Sequence, residues 1–337
     1  MVIIGVGIII LINIIGITFF YISSVNLLEE EVADHLETAA ESRARHIETF
    51  LDGKKGRAID FSSDGFIITS LIALEIDEGD SEHIKSNLSR YILLNKIPTD
   101  KDLYGIEVLN SQGIIVSHSG KEETEEVHKE ENKFFKTVFS LGKEGIFVSD
   151  AFYDKEFERN AIAISAPIID EGEFLGVVII KIGLNTLFGI TTERTGLRET
   201  GEIVIINKES LLITPSRFLR GTAGVLVQEV DTENARKCFE GLEIHGVFDE
   251  EELAIHSKTS GGIIFEDYRG EVTLGVHSHV IGQTWCLLAQ IDESEVLGKA
   301  RTSLIIVSVF IVLITSILVS LIAVFVGKSF ERRKKKN

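Results

Sequence analysis

A single lysine at the end of an apolar run is the first residue of this 337-residue chain that suggests chemistry. Lys181 closes the run VVIIK, and strand alternation places it on the same face as Val177 and Ile179. A buried ammonium requires a counter-charge, which a ligand carboxylate, Asp150 or Glu173 would supply. The simpler interpretation, which we prefer from the sequence, is a side chain that extends to water at the sheet edge.

Other polar patterns give weaker signals. His277 and His279 share one face of a predicted strand, but no third metal ligand follows at a useful spacing, so two solvent-facing histidines are expected. Asp150 and Asp154 could form a carboxylate pair, although surface acids are the simpler explanation. The chain contains no G-x-S-x-G, H-E-x-x-H, P-loop or Rossmann glycine motif. The sequence therefore predicts no catalytic, cofactor or metal site, and favours a binding module over an enzyme.

The two cysteines, Cys238 and Cys286, leave one question open. A disulfide is permitted if both lie in an oxidising compartment. Cys286 lies in the apolar stretch TWCLLAQI, where a buried free thiol is an ordinary core residue. We prefer the free thiol, because sequence alone cannot show whether the two residues have disulfide geometry.

Long uncharged runs at both ends predict two membrane spans. Residues 2–24 and 302–327 carry no charge, and each is long enough to cross a hydrocarbon core of about 30 Å. The first run is too long for the core of a usual signal peptide, so we expect an uncleaved anchor. After the second, KSFERRKKKN has six basic residues and one acid. We interpret this tail as a cytoplasmic stop-transfer anchor rather than a lipid-binding patch.

This orientation places residues 24–301 outside the cytoplasm. Without the tail's six basic and one acidic residues, 28 of the 34 Lys and Arg and 51 of the 52 Asp and Glu remain, a net charge of −23. Such acidity disfavours nucleic acid as a partner, because phosphates require basic surfaces.

The spacing of apolar residues predicts the elements between the two runs. A long helix is expected over 24–66, because apolar residues recur at helical spacing. The elements expected next are a helix over 81–94, a hairpin of 104–110 with 114–119, a helix over 129–141, strands over 145–154, 160–170 and 174–184, and a helix over 185–195. A shorter series follows, with strands over 202–207 and 211–216, a helix over 232–241, strands over 262–270, 271–280 and 284–292, and a helix over 293–301 that enters the second apolar run.

These elements define an α+β fold class: two tandem PAS-like domains with antiparallel sheets on a long N-terminal helix, flanked by two transmembrane helices. The predicted boundaries are 1–23 for the first transmembrane helix, 24–66 for the stalk helix, 67–197 for the membrane-distal domain, 198–300 for the membrane-proximal domain, 302–327 for the second transmembrane helix and 328–337 for the basic tail.

Three segments resemble the double Cache (dCache) family of extracytoplasmic sensors. AIAISAPIIDEGEFLGVVIIKIGLNTLFGI (161–190) is similar to that family's strand, acidic-glycine turn, strand and helix. RETGEIVIINKESLLITPS (198–216) resembles its entry into the proximal domain, and WCLLAQIDESEV (285–296) its last strand and exit helix. The resemblance covers nearly the whole region between the spans, in the family's order.

The resemblance implies a function and a site. Such modules form the input regions of histidine kinases, chemotaxis receptors and cyclic-dinucleotide enzymes, bind small molecules in the distal domain, and signal as homodimers. A pocket is expected between the distal sheet and its helical cover. The candidate ligand-binding residues are Phe134, Phe135, Ser149, Asp150, Phe152, Tyr153, Ser165 and Lys181.

Departures from the family's patterns narrow the class of ligand that we expect. Amino-acid-sensing members carry an aspartate where Lys181 falls, and an R-x-W-Y stretch where this chain reads KEENKFFKTVF. We therefore expect an anion, such as a carboxylate, rather than an α-amino acid.

The expected output of this sensor region is a sensor histidine kinase. The alternatives are a chemotaxis receptor and a membrane-tethered binding protein without an output domain.

Overall fold

The computed structural model describes residues 2–76, 80–119, 127–245, 262–280 and 282–334. Its seven α-helices in those ranges are α1 (Val2–Ser62), α2 (Gly65–Ile76), α3 (Ser81–Asn95), α4 (Val127–Glu144), α5 (Asn185–Thr192), α6 (Glu233–His245) and α7 (Glu293–Lys334). Its strands are β1 (Leu103–Asn110), β2 (Ile115–His118), β3 (Phe147–Val148), β4 (Phe152–Asp154), β5 (Arg159–Asp170), β6 (Glu173–Gly183), β7 (Glu202–Ile206), β8 (Ile263–Glu266), β9 (Val272–His279) and β10 (Cys286–Asp292).

Helix α1 runs without interruption from the first apolar run through most of the predicted stalk. Its 61 residues contain no proline, and one face is buried against strands of both sheets. The stalk ends earlier than the predicted Phe66, because Asp64 begins a new helix. The Asp64 carboxylate accepts hydrogen bonds from the backbone N–H groups of Phe66 (2.9 Å) and Ile67 (3.1 Å), which caps α2.

The membrane-distal sheet is antiparallel, with the strand order β2-β1-β6-β5-β3 and with β4 also paired to β5. Strand β6 lies in its centre and has two apolar faces. Val178 and Ile180 belong to the core cluster that includes α1, while Val177 and Ile179 pack with Val138 of α4. The sheet is therefore covered by α1 on one face and by α4 on the other. The predicted strand over 145–154 is instead two short strands, because the chain leaves the ladder between β3 and β4.

The membrane-proximal sheet is also antiparallel, with the order β7-β10-β9-β8. The predicted strand over 211–216 is wrong, since this segment makes only isolated bridges at Leu211 and Leu212. The Ile205 N–H donates to the Thr214 side chain (2.9 Å), and Pro215 has no N–H to donate. Backbone pairing between β7 and this segment therefore ends at Thr214, whose side chain takes the place of a backbone acceptor.

Helix α7 follows β10 without a loop and continues into the second apolar run. Its Glu295 carboxylate accepts hydrogen bonds from the backbone N–H groups of Glu199 (3.0 Å) and Thr200 (2.7 Å), which fixes the helix to the entry of the proximal domain. Both α1 and α7 contain stretches long and apolar enough to cross a membrane, and the two helices contact each other. Residues 335–337 of the predicted basic tail lie outside the described residues.

Candidate functional site

Lys181 is buried in the distal sheet, with only 2% of its surface exposed. The prediction that it reaches water is therefore wrong. Its Nζ lies 2.9 Å from Glu107 Oε1, 3.5 Å from Asp154 Oδ2 and 3.9 Å from Glu156 Oε2. The counter-charges are thus three carboxylates of the protein, and neither Asp150 nor Glu173 is among them. The burial of an ammonium group is possible here because oppositely charged groups surround it.

The pairing of β1 with β6 positions the lysine and its nearest partner. Gly105 lies directly opposite Lys181, and Glu107 lies two residues further along the same face of β1. A Cβ on Gly105 would be 3.1 Å from the Cδ of Lys181, so the lysine side chain lies across a position where any larger residue would crowd it. The glycine and the glutamate together create the space and the charge that Lys181 requires.

A histidine links two of the carboxylates from the next strand. His118 of β2 lies opposite Glu107, with its Nδ1 3.4 Å from Glu107 Oε1 and its Nε2 3.3 Å from Glu156 Oε1. We call Lys181, Glu107, Asp154, Glu156 and His118 the Lys181 cluster. All five residues lie in or beside four strands of one sheet, so the fold fixes their separations.

Electrostatics shift the pKa values within the Lys181 cluster. Burial alone would raise the pKa of Glu107, but the contact with the His118 ring and the charge of Lys181 hold it below its usual value. Burial opposes the charged forms of His118 and Lys181, yet the neighbouring carboxylates raise both pKa values. Tyr104 donates a hydrogen bond to Asp154 (2.9 Å), and burial followed by this negative charge raises its pKa. These shifts favour the charged forms of Glu107, His118 and Lys181 and the neutral phenol of Tyr104.

The net charge of the Lys181 cluster does not favour an anionic ligand. Three carboxylates face one ammonium and one imidazole, which leaves a net charge of −1 when His118 is protonated. Glu107 Oε2 is buried and has no hydrogen-bond partner within the described residues. The expectation of an anionic ligand rested on an unpaired lysine, and the structure removes that basis.

Aromatic side chains of α4 and β4 lie beside the Lys181 cluster. The ring centroids of Phe134 and Phe135 are 5.4 Å apart, and those of Phe134 and Phe152 are 4.5 Å apart. Lys181 Nζ lies 5.0 Å from the centroid of Phe135 and 5.8 Å from that of Phe157, within the range of cation–π interactions. The structure therefore brings together four of the predicted site residues: Phe134, Phe135, Phe152 and Lys181.

Two predicted site residues, Ser149 and Ser165, use their hydroxyl groups within the fold. Ser165 donates to the carbonyl of Val138 (2.9 Å), which ties α4 to β5. Ser149 donates to the carbonyl of Asp150 (2.7 Å) and accepts from the N–H of Ala163 (2.9 Å). Both serines are almost fully buried, so their structural contacts account for them. The predicted Tyr153 is 52% exposed.

Asp150 lies at the junction of the two domains rather than beside Lys181. Its Oδ1 accepts a hydrogen bond from Trp285 Nε1 (2.8 Å), and its Oδ2 accepts one from Asn207 Nδ2 (3.2 Å). Both partners belong to the proximal domain. The pairing of Asp150 with Asp154 considered from the sequence is also wrong, because Asp154 faces Lys181 while Asp150 contacts Trp285.

Sequence reasoning missed Glu107, His118 and Glu156 as members of the site. One signal was present, since Glu107 interrupts the otherwise apolar and glycine positions of the strand LYGIEVLN. An acid at such a position needs a partner, and Lys181 was the available base. His118 and Glu156 carried no comparable signal, because polar residues in turns and short strands are common.

In the proximal domain both cysteines and His279 are buried, and His277 is half-buried. Cys238 of α6 and Cys286 of β10 form a disulfide, so the preferred free thiol is wrong. His279 contacts the Cys238 carbonyl (2.9 Å) and His277 contacts Asn234 (2.9 Å). Burial lowers the pKa of both, that of His277 to about 4, so the expected solvent-facing histidines are also wrong. Although His279 lies beside the two sulfur atoms, the disulfide leaves no thiolate to bind a metal.

Two antiparallel sheets packed along one long helix define a two-module α+β architecture. The family model dCache_1, described as Cache domain, matches residues 24–300, so the chain belongs to the Cache family. The recognition made from the sequence is thereby confirmed, as is the fold class. None of the curated proteins matches this chain.

Solved structures of similar fold are ligand-binding domains of chemoreceptors. The ligand-binding domain of Mlp24 with asparagine shares 16% identity, with 81% of this chain and 99% of that chain covered and a TM-score of 0.51. The domain of the Pseudomonas aeruginosa PAO1 amino acid chemoreceptor PctC with GABA shares 15% identity over 77% and 99%, with a TM-score of 0.50. The domain of Campylobacter jejuni chemoreceptor Tlp3 with L-valine shares 12% over 81% and 97%, with a TM-score of 0.52.

Proposed function

We propose that this chain is the extracytoplasmic sensor region of a two-span membrane receptor, and that it binds a small molecule at the Lys181 cluster beneath α4. The observation that carries the proposal is the cluster itself. Its charged groups are costly to bury, and a domain core has no need of them. They lie beside the aromatic side chains Phe134, Phe135 and Phe152, which supply apolar contact area.

The same charges indicate the polarity of the ligand. Glu107 Oε2 is a buried acceptor in need of a donor, and the cluster as a whole carries excess negative charge. A ligand that presents an ammonium, amide or hydroxyl donor satisfies this acceptor, whereas a free carboxylate is repelled. We therefore propose a hydrogen-bond donor, neutral or cationic, in place of the anion expected from the sequence.

The membrane location and assembly complete the proposal. The two apolar helices, the basic C-terminal end and the Cys238–Cys286 disulfide support a sensor that faces an oxidising compartment outside the cytoplasm. We propose a homodimer, as in the family. This chain acts as a binding module, and the absence of catalytic motifs from its sequence supports that assignment.

The output remains a choice between classes of receptor. The solved relatives named above are chemoreceptor domains, which favours a chemotaxis receptor over the histidine kinase expected from the sequence. Sequencing the gene beyond Asn337 separates them. A long heptad coiled coil indicates the chemoreceptor, and a phospho-acceptor helix with an ATP-binding domain indicates the kinase. A stop codon there favours the tethered binding protein.

A thermal-shift screen of the full chain in nanodiscs tests ligand binding. Amines, amino acids, amides, sugars and carboxylates are added singly, and a ligand at a hundred times its Kd stabilises the folded state by about 2.7 kcal/mol. The expected result is a shift with a donor-bearing compound that is lost in Glu156→Gln and Phe135→Leu but kept in Glu173→Gln, at the β5–β6 turn. A screen without a shift, or a shift unaltered by the first two substitutions, contradicts the proposal.

A further inference from the structure

One short segment contacts both the Lys181 cluster and the proximal domain. Between β3 and β4 the chain leaves the ladder at Ser149, whose N–H donates to the Ala163 carbonyl (2.8 Å) and whose Oγ accepts from the Ala163 N–H (2.9 Å). The serine side chain thus replaces a backbone acceptor, and the segment from 149 to 154 is anchored to β5 at this point. Asp150, the next residue, is held in a fixed position.

The carboxylate of Asp150 is bound from the proximal domain. Trp285 donates to Oδ1 (2.8 Å) and Asn207 donates to Oδ2 (3.2 Å), while the Ala151 N–H donates to Oδ1 (2.7 Å). Trp285 is fully buried and Asn207 is 5% exposed. The Asn207 side chain is itself fixed, because its Oδ1 accepts from the Leu211 N–H (2.9 Å). Two of these hydrogen bonds come from the proximal domain, and together they form a specific joint between the domains.

The other end of the same segment belongs to the proposed ligand site. Phe152, two residues after Asp150, packs on Phe134 of α4 with ring centroids 4.5 Å apart. Asp154, two residues further, lies 3.5 Å from Lys181 Nζ. A change in the position of these side chains is therefore transmitted to Asp150 through a few backbone bonds.

The far side of the joint leads directly to the second apolar run. Trp285 immediately precedes β10, which pairs with both β7 and β9 in the proximal sheet, and α7 begins at Glu293 directly after β10. No loop separates Trp285 from the start of α7, so β10 links the position of the tryptophan directly to that of the helix.

We propose that the segment from 149 to 154 couples the Lys181 cluster to α7 through the hydrogen bond between Asp150 and Trp285. The proposal rests on the proposed sensor function, but it concerns transmission rather than binding. The chain is paired with β5 on both sides of Asp150, so Asp150, Phe152 and Asp154 are positioned against the same strand. Asp150 is thus a positioning residue. It touches no ligand, and its hydrogen bond to Trp285 relays a change at the Lys181 cluster to β10.

A double-mutant design tests the coupling without any ligand. Phe152→Ala perturbs the site, and hydrogen exchange of the peptide over 293–301 reports on the start of α7, in the full chain in nanodiscs. We expect Phe152→Ala to change the exchange rate there by about fivefold or more in the wild-type background, and not to change it in the Asp150→Ala background. Trp285, the single tryptophan of the chain, supplies a second readout, because its emission changes when its environment does.

Controls separate coupling from loss of stability. Asp170→Ala, at the β5–β6 turn, should leave the response to Phe152→Ala intact. If Asp150→Ala fails to fold, Trp285→Phe removes the same hydrogen bond while keeping an aromatic ring, and the exchange measurement is repeated in that background. An equal response to Phe152→Ala with and without the Asp150–Trp285 bond overturns the proposal, as does no response in the wild-type background. A failed ligand screen with this coupling intact would instead contradict the ligand site alone.

Discussion

Lys181 and its carboxylate partners place several charges inside the distal domain, where each depends on the others. The lysine Nζ has 2.9 Å and 3.5 Å contacts to Glu107 and Asp154, and all three side chains are at most 3% exposed. Removal of one member leaves the rest as uncompensated buried charge, which costs far more than the loss of a surface ion pair.

The first prediction concerns removal of the lysine. Lys181→Met should lower the free energy of unfolding by roughly 3–5 kcal/mol at pH 7, measured by chemical denaturation. The deficit should shrink as the pH falls, because loss of the lysine removes two of the influences that lower the pKa of Glu107, which then becomes neutral at a higher pH than in the wild type. The control Lys208→Met, at an exposed ion pair, should cost less than about 1 kcal/mol. A similar cost for both variants would contradict the buried cluster.

His118 provides the second prediction, which concerns pH. Burial opposes its charge, but Glu107 and Glu156 raise its pKa above the ordinary 6.5. A raised pKa of the folded state gives stability that is fully present below the unfolded value and is lost as the pH rises through the folded value. The stability difference between wild type and His118→Gln, from urea denaturation between about pH 5 and pH 9, should therefore decline with rising pH. A difference that is constant or rises over that range would be inconsistent with the two contacts.

At the scale of single residues, the sequence predicted the strand face on which Lys181 lies but not the residues that surround its side chain. Alternation along β6 correctly placed Lys181 on the face of Val177 and Ile179. The partners come from β1, β2, β4 and the turn after β4, and only the pairing register brings them within reach. Register depends on the whole sheet, so residue patterns within one segment could not identify Glu107 as the nearest acid.

Among the elements, α6 and β10 are joined by the disulfide between Cys238 and Cys286. Both cysteines are fully buried, and the proximal core cluster packs around them. Since 48 residues separate them along the chain, the bond closes a long loop in the unfolded state. Closure of a long loop removes more unfolded-state entropy than closure of a short one.

The third prediction follows from this crosslink. The variant with both Cys238→Ala and Cys286→Ala should be less stable than the wild type by about 4 kcal/mol, measured by denaturation without reductant. Wild type unfolded in the presence of reductant should lose stability similarly, while the variant should not respond to reductant. A wild-type protein insensitive to reductant would show that the thiols are free.

Element positions were predicted well where a segment satisfies its own hydrogen bonds. Helix α3 and the hairpin of β1 and β2 were confirmed, because helical spacing and a glycine-containing turn are local signals. The strand expected over 211–216 failed for the opposite reason. Its apolar alternation was typical of a strand. However, the Thr214 side chain, rather than a backbone carbonyl, accepts the hydrogen bond from the Ile205 N–H of β7, and no local sequence pattern shows this substitution.

For the whole molecule, the testable feature is its orientation in the membrane. A green fluorescent protein fused after Asn337 should fluoresce in cells, because we propose that the basic tail lies in the cytoplasm. The same fusion made after Gly298, before the second span, should be dark, because the fluorescent protein would be exported unfolded. The reverse pattern would show that the Cache domains face the cytoplasm.

The unbroken course of α1 ties the first span to both domains. At about 1.5 Å per residue, its 61 residues form a rod of roughly 90 Å. Both sheets pack along this one rod, so the first span shares a mechanical frame with the two domains. At its outer end the second span is held by β10, by the Glu295 contacts and by the packing of α7 on α1 and β9. In a sensor of the kind proposed above, the first span is therefore continuous with the frame of both domains, while the second span follows the proximal sheet and its packing on that frame.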